Sequence, residues 1–157
     1  MSFSLDMSPA ISNVRDHMDE TVRGTLFGVS SRIIKATPVG DPNLWLYNKG
    51  TKESPNYVDY LGYHGSADGY VGGSLRGAWN ASIGAPDETK TGSVDSSGTG
   101  TITAMRTVVN GVNIGDNFYL TNPLPYAYRV ENGWSSQAPT GMVRVAVAET
   151  QAVLNSL

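Results

Sequence analysis

Apolar residues Ile11, Val14, Met18, Val22, Leu26, Val29 and Ile33 recur at spacings of three and four, forming one continuous helical stripe. Ser8 stands where an N-cap is needed, and Pro9 follows at a position where a missing N–H does no harm. Thr37-Pro38 ends the run, because the residue before a proline is driven out of the helical region. Such a helix is roughly 40 Å long at the helical rise per residue. That is comparable to the width of a whole domain, so part of the stripe is expected to lie against a neighbouring subunit. Asp19 stands four residues before Arg23, the order that favours a surface ion pair. Gly24 and Gly28 each weaken the helix by about 1 kcal/mol relative to alanine, which points to close packing or a bend there.

From Gly40 to Gly73 the pattern becomes extended and turn-rich, punctuated by Gly40-Asp41-Pro42 and Ser54-Pro55-Asn56. This stretch carries Trp45, Tyr47, Tyr57, Tyr60, Tyr63 and Tyr70, five of the eight tyrosines. Disordered segments are poor in aromatics, so a docked loop is expected, either between subunits or as a satellite cluster within one. Gly77 to Gly84 alternates Trp79, Ala81 and Ile83 with polar partners, the pattern of a half-buried strand with Trp79 in the core. Pro86 to Gly100 is polar and rich in Gly, Ser and Thr, and reads as a mobile hairpin or loop. Ile102, Met105 and Val109 fit a short helix closed by Asn110-Gly111, and Asn117 to Thr121 fits a second strand. Pro125 to Glu131 suits one or two helical turns stopped by Asn132-Gly133. Val143, Val147, Val153, Leu154 and Leu157 fall at helical intervals, while Val143-Arg144-Val145-Ala146-Val147 alternates like a strand. That last segment is expected to begin as either and to end as helix. No repeat, heptad run or linker divides residues 1–157, so one domain is expected.

Composition narrows the function more than the fold. Of 157 residues, 39% are apolar and only 16% charged, with a net charge of -3 from eleven basic and fourteen acidic side chains. No Lys/Arg cluster stands out, so the electrostatic footprint of a nucleic-acid binder is missing. The absence of cysteine excludes disulfides, zinc-thiolate sites and cysteine nucleophiles. Met1 to Met7 lacks the basic flank and apolar run of a signal peptide, and no apolar run approaches the ~18 residues of a spanning helix. Synthesis in the cytoplasm is the default expectation.

Candidate chemistry is sparse. The two histidines are His17, beside the helical stripe, and His64, near Asp59 and Asp68 in sequence. A metal site there lacks an evident third ligand. Gly72-Gly73-Ser74-Leu75-Arg76 misses the second glycine of a nucleophile elbow. Gly98-Thr99-Gly100 lacks the Gly-Lys-Ser/Thr ending that would grip a phosphate. No carboxylate pair suggests glycoside hydrolysis. No catalytic set, cofactor or metal is therefore expected.

Three segments carry a resemblance. The first is Ala36-Thr37-Pro38-Val39-Gly40-Asp41-Pro42 with Leu44-Trp45, and the second is Gly69-Tyr70-Val71-Gly72-Gly73-Ser74-Leu75-Arg76-Gly77-Ala78-Trp79. The third runs from Asn122-Pro123-Leu124-Pro125-Tyr126 through Arg129-Val130-Glu131-Asn132-Gly133-Trp134-Ser135 to Gln137-Ala138-Pro139 and Gly141-Met142-Val143-Arg144. In order and spacing, from about Ala36 to Val147, they resemble the tail-completion (neck) proteins of long-tailed bacteriophages. A departure is the aromatic-rich stretch of about 47–68, which looks like an insertion.

The resemblance implies an α+β subunit with a long N-terminal helix and a small antiparallel sheet flanked by helices. It implies a homo-oligomeric ring, usually a hexamer, that caps the tail tube, stops its growth and meets the head-side connector. The corresponding location is the virion neck, after assembly in the host cytoplasm. No membrane and no sequence-specific nucleic acid are involved, although DNA can pass through such a ring. A head-closure or adaptor ring on the capsid side is the alternative. Interface candidates are Trp45, Tyr60, Tyr63, Arg76, Tyr126, Glu131 and Trp134, with Arg76 expected either to pair with Glu131 or to stand solvated. Tyr126 and Trp134 qualify as large, low-entropy anchors, or alternatively as core aromatics.

Overall fold

The computed structural model describes residues 6–40 and 72–156. Within them the order is α1 (Ser8–Ala36), α2 (Ser74–Gly77), β1 (Asn80–Ile83), α3 (Thr99–Val109), β2 (Phe118–Thr121), α4 (Ala127–Glu131) and α5 (Val143–Leu154). This is the expected α+β arrangement, a small antiparallel sheet flanked by helices. The apolar stripe is α1, 29 residues long or about 43 Å. Its start differs from expectation. Ser8 is the first helical residue and caps nothing; its N–H donates to the Asp6 carboxylate at 2.9 Å. Its end is as expected, with the buried Thr37 hydroxyl donating to the Ile33 carbonyl at 2.8 Å.

Only the C-terminal half of α1 enters the core. Ile33 and Ile34 are buried among Leu75, Trp79, Met105, Val109, Met142 and Ala146, while Ile11, Val14 and Met18 remain exposed. The core therefore sits where α1 packs on α3 and α5. Asp19 and Arg23 turn to the loop after α3 instead of forming a surface pair. The Ile114 N–H donates to Asp19 at 2.6 Å, and Arg23 Nε donates to the Val112 carbonyl at 2.6 Å. Gly24 and Gly28 are not sites of close packing either: an added Cβ would meet nothing within 4 Å among the described residues.

Ala81 stands opposite Leu120, and Ile83 opposite Phe118, in the two-stranded sheet. Ala81, Leu120 and Phe118 pack against the core. A pair of strands is marginal by itself, and α3 packed against β1 supplies the missing layer. The last apolar segment is helical from Val143 onward. Met142 and Ala146 are buried one turn apart with Val143 beside them, a helical face that a strand would split between two sides.

Pro86 to Gly100 forms no hairpin among the described residues, and it is tied down at both ends. The Asn80 amide donates to the Thr89 carbonyl at 2.7 Å, and the Asp95 N–H donates to the Gly73 carbonyl at 3.2 Å. Asp95 then caps α3 from outside the helix. It accepts the Gly98 N–H at 2.8 Å, the Thr101 N–H at 2.8 Å and the Thr101 hydroxyl at 2.9 Å. Partial burial alone would raise its pKa, but these donors and the Ser97 hydroxyl override it and hold the carboxyl at about 2, below the ordinary 3.8. A depressed folded pKa adds stability above the unfolded value that fades as pH falls toward the folded one. Asp95→Asn should therefore lower stability by about 1 kcal/mol at neutral pH, discounted for partial exposure. The gap to the parent should close between pH 4 and pH 2. Urea melts across that range test this, and a gap independent of pH would show that the charge contributes nothing.

Candidate functional site

Among the described residues, the most exposed aromatic rings lie at a corner built from α4 and the turn after it. Leu124, Ala127 and Val130 pack toward the core, so the helical period turns Tyr128 and Arg129 outward. Asn132-Gly133 then ends α4 in a Schellman motif: the Gly133 N–H reaches the Val130 carbonyl at 3.1 Å, and the Trp134 N–H reaches the Arg129 carbonyl at 3.2 Å. Gly133 adopts φ 86°, and a Cβ there would fall 2.6 Å from the Pro139 carbonyl oxygen. Neither demand suits another residue. The motif aims Trp134 into solvent with 73% of its surface exposed, and the Arg129 guanidinium lies 5.0 Å from its ring centre. Tyr128 is 77% exposed and Tyr126 is exposed beside it.

Glu131 holds this corner to α5. Its carboxylate accepts the N–H groups of Met142 at 2.7 Å, Val143 at 2.8 Å and Arg144 at 3.1 Å, and pairs with Arg144 Nε at 3.2 Å. Burial acts to raise its pKa, but the donors at Val143, Met142 and Arg144 outweigh it and hold the carboxyl below its usual value. Gly141, at φ 91°, lets the chain pass: a Cβ would sit 2.6 Å from the Glu131 carbonyl oxygen.

Arg76 does not pair with Glu131. Its Nε donates to the Thr37 carbonyl at 3.0 Å, and its terminal nitrogens reach the carbonyls of Ser96 at 2.6 Å and Lys35 at 3.0 Å. The two residues instead serve separate helix ends, a cation at the C-terminus of α1 and an anion at the N-terminus of α5. Each complements the local helix dipole. Both are internal braces whose polar groups point inward.

A second surface occupies the N-terminal half of α1. Val14, His17, Met18 and Val22 face Ile114 across an open apolar groove of about 490 Å³. The aromatic corner lies at the other end of the same helix, where the Gln137 side chain bonds both the N–H and the carbonyl of Val39, at 3.2 and 2.9 Å.

Among the seven interface candidates, Tyr126 and Trp134 are on the surface, Arg76 and Glu131 are inward braces, and Trp45, Tyr60 and Tyr63 lie outside the described residues. So do His64, Asp59 and Asp68, the weak metal constellation. Among the described residues no group of three or more His, Cys, Asp or Glu could hold a metal ion, and no helix is long and apolar enough to cross a membrane. At Gly98-Thr99-Gly100 the Asp95 carboxylate already occupies the helix N-terminus where a phosphate would sit. Sequence reading missed Tyr128, although its offset from Ala127 and Val130 on a short helix was the available signal. Compared with protein families, curated proteins and solved structures, the chain has no match.

Proposed function

We propose that this chain is a structural subunit of a tailed-bacteriophage neck, a tail-completion ring that caps the tail tube and joins it to the head connector. The observation that carries the reading is the pairing of large exposed apolar surfaces with rigid internal bracing. Tyr128 and Trp134 project from a corner clamped by Glu131, and Ile11, Val14 and Met18 are exposed along the N-terminal half of α1. Large contiguous apolar exposure marks an interaction surface. The motifs around Arg76, Asn122-Pro123 and Gly133-Trp134 supply the similarity to neck proteins. Function of this kind is stoichiometric. Each contact is modest, ring closure multiplies several of them, and capping a finished tube becomes cooperative without turnover.

Deleting the gene from its phage should leave filled but unjoined capsids beside tails of excessive or irregular length in electron micrographs. Rescue should need amounts comparable to the number of tails. Normal-length tails that fail to attach would instead favour the head-closure or adaptor ring. Rescue by trace amounts would overturn a structural role altogether.

A further inference from the structure

The two exposed surfaces are unlike in shape and in charge. The groove is concave, and the N-terminal half of α1 beside it carries exposed Asp16 and Glu20 against Arg15, two acids to one base. The corner is convex. Arg129 and Arg144 are both exposed there; Glu131 pairs with Arg144, and the Arg129 guanidinium beside Trp134 leaves the corner with a net positive charge. Groove and corner lie about 30 Å apart along α1, measured from Met18 to Thr37 at the helical rise.

We infer that the groove on the N-terminal half of α1 receives the Tyr128–Trp134 corner of a second copy of this chain, in a head-to-tail contact repeated around a ring. The inference rests on the ring reading above and adds which faces meet. Two aromatic rings offer large, stiff contact area, and an open groove lined by Val14, Met18, Val22 and Ile114 can take them. Asp16 and Glu20 beside the groove oppose the Arg129 guanidinium of the corner, a match that also disfavours groove against groove and corner against corner. Complementary faces at opposite ends of one subunit leave a free face after each addition, so growth continues until the ring closes.

The chain contains no cysteine, so Asn13→Cys with Tyr128→Cys introduces unique thiols at two exposed positions. Phage particles carrying both substitutions, treated with a short bismaleimide, should give a ladder of products beyond the dimer. Either single variant should give about ten-fold less. Cross-linking through Asn13→Cys alone would mean that two α1 helices pair, and would overturn the contact. A product that stops at the dimer would mean a two-fold pair and overturn head-to-tail geometry. Particles that contain the chain but yield no product would overturn the contact and leave the neck reading standing. Absence of the parent chain from particles would overturn the neck reading itself. Independently, Met18→Glu and Trp134→Ala should each reduce incorporation into particles about ten-fold or more, with the melting temperature of the free chain unchanged. Full incorporation, or loss of the free chain's thermal transition, would count against the proposal.

Discussion

Trp79→Ala is expected to remove about 3–5 kcal/mol of stability, a large part of the roughly 5–15 kcal/mol typical of a folded domain. Trp79 is buried in the central cluster with Ile33, Ile34, Met105 and Met142, so truncation opens a cavity between α1 and the start of α5. It also donates from Nε1 to the Thr37 hydroxyl at 2.8 Å, and that hydroxyl donates onward to the Ile33 carbonyl at 2.8 Å. The indole thus fills the core and fixes the end of α1 at once. Trp79→Phe separates the two contributions. It keeps most of the volume, loses the hydrogen bond, and should cost about 1–2 kcal/mol. Denaturant melts followed by far-UV circular dichroism measure both. An alanine variant within 1 kcal/mol of the parent would mean that the cluster does not anchor the fold.

Glu131→Ala should follow closely, at about 2–4 kcal/mol. Two part-buried N–H groups, those of Met142 and Val143, would lose their acceptor, and Arg144 would lose its partner. Glu131→Gln retains one acceptor oxygen and should lie between the alanine variant and the parent. The pH dependence has a definite sign. With its folded pKa below the ordinary 4.5, the carboxylate contributes fully above that value, and the contribution fades as pH falls beneath it. The parent should therefore lose stability on acidification faster than Glu131→Gln, and parallel curves would remove the charge from the account. Because Glu131 holds the corner to α5, the proposed neck role predicts that the alanine variant also impairs particle incorporation below its melting temperature. Trp134→Ala, in contrast, should impair incorporation alone.

Periodicity makes most of the elements legible in the sequence alone. The three-and-four spacing from Ile11 to Ile33 became α1, the alternation around Ala81 and Ile83 became β1, and Asn132-Gly133 stopped α4 as its backbone chemistry requires. Local rules suffice there because the interactions that form these elements join residues close in sequence. Trp79 in the core was legible for the same reason, whereas Trp134 stood open between a surface anchor and a core aromatic until the structure exposed it. What tertiary structure decided is of longer range. An apolar stripe states a preference for burial, not whether the same chain supplies the partner, so only the structure divides α1, among the described residues, into a half that enters the core and a half whose Ile11, Val14 and Met18 are exposed. The strand-like alternation at Val143 to Val147 gave way because burying Met142 and Ala146 on one face outweighs local β preference. Arg76, Asp19 and Glu131 are polar side chains whose partners are backbone groups elsewhere in the fold. A backbone N–H or carbonyl has the same chemistry at almost every position. Nothing in the sequence distinguishes the particular one that folding will bring within reach.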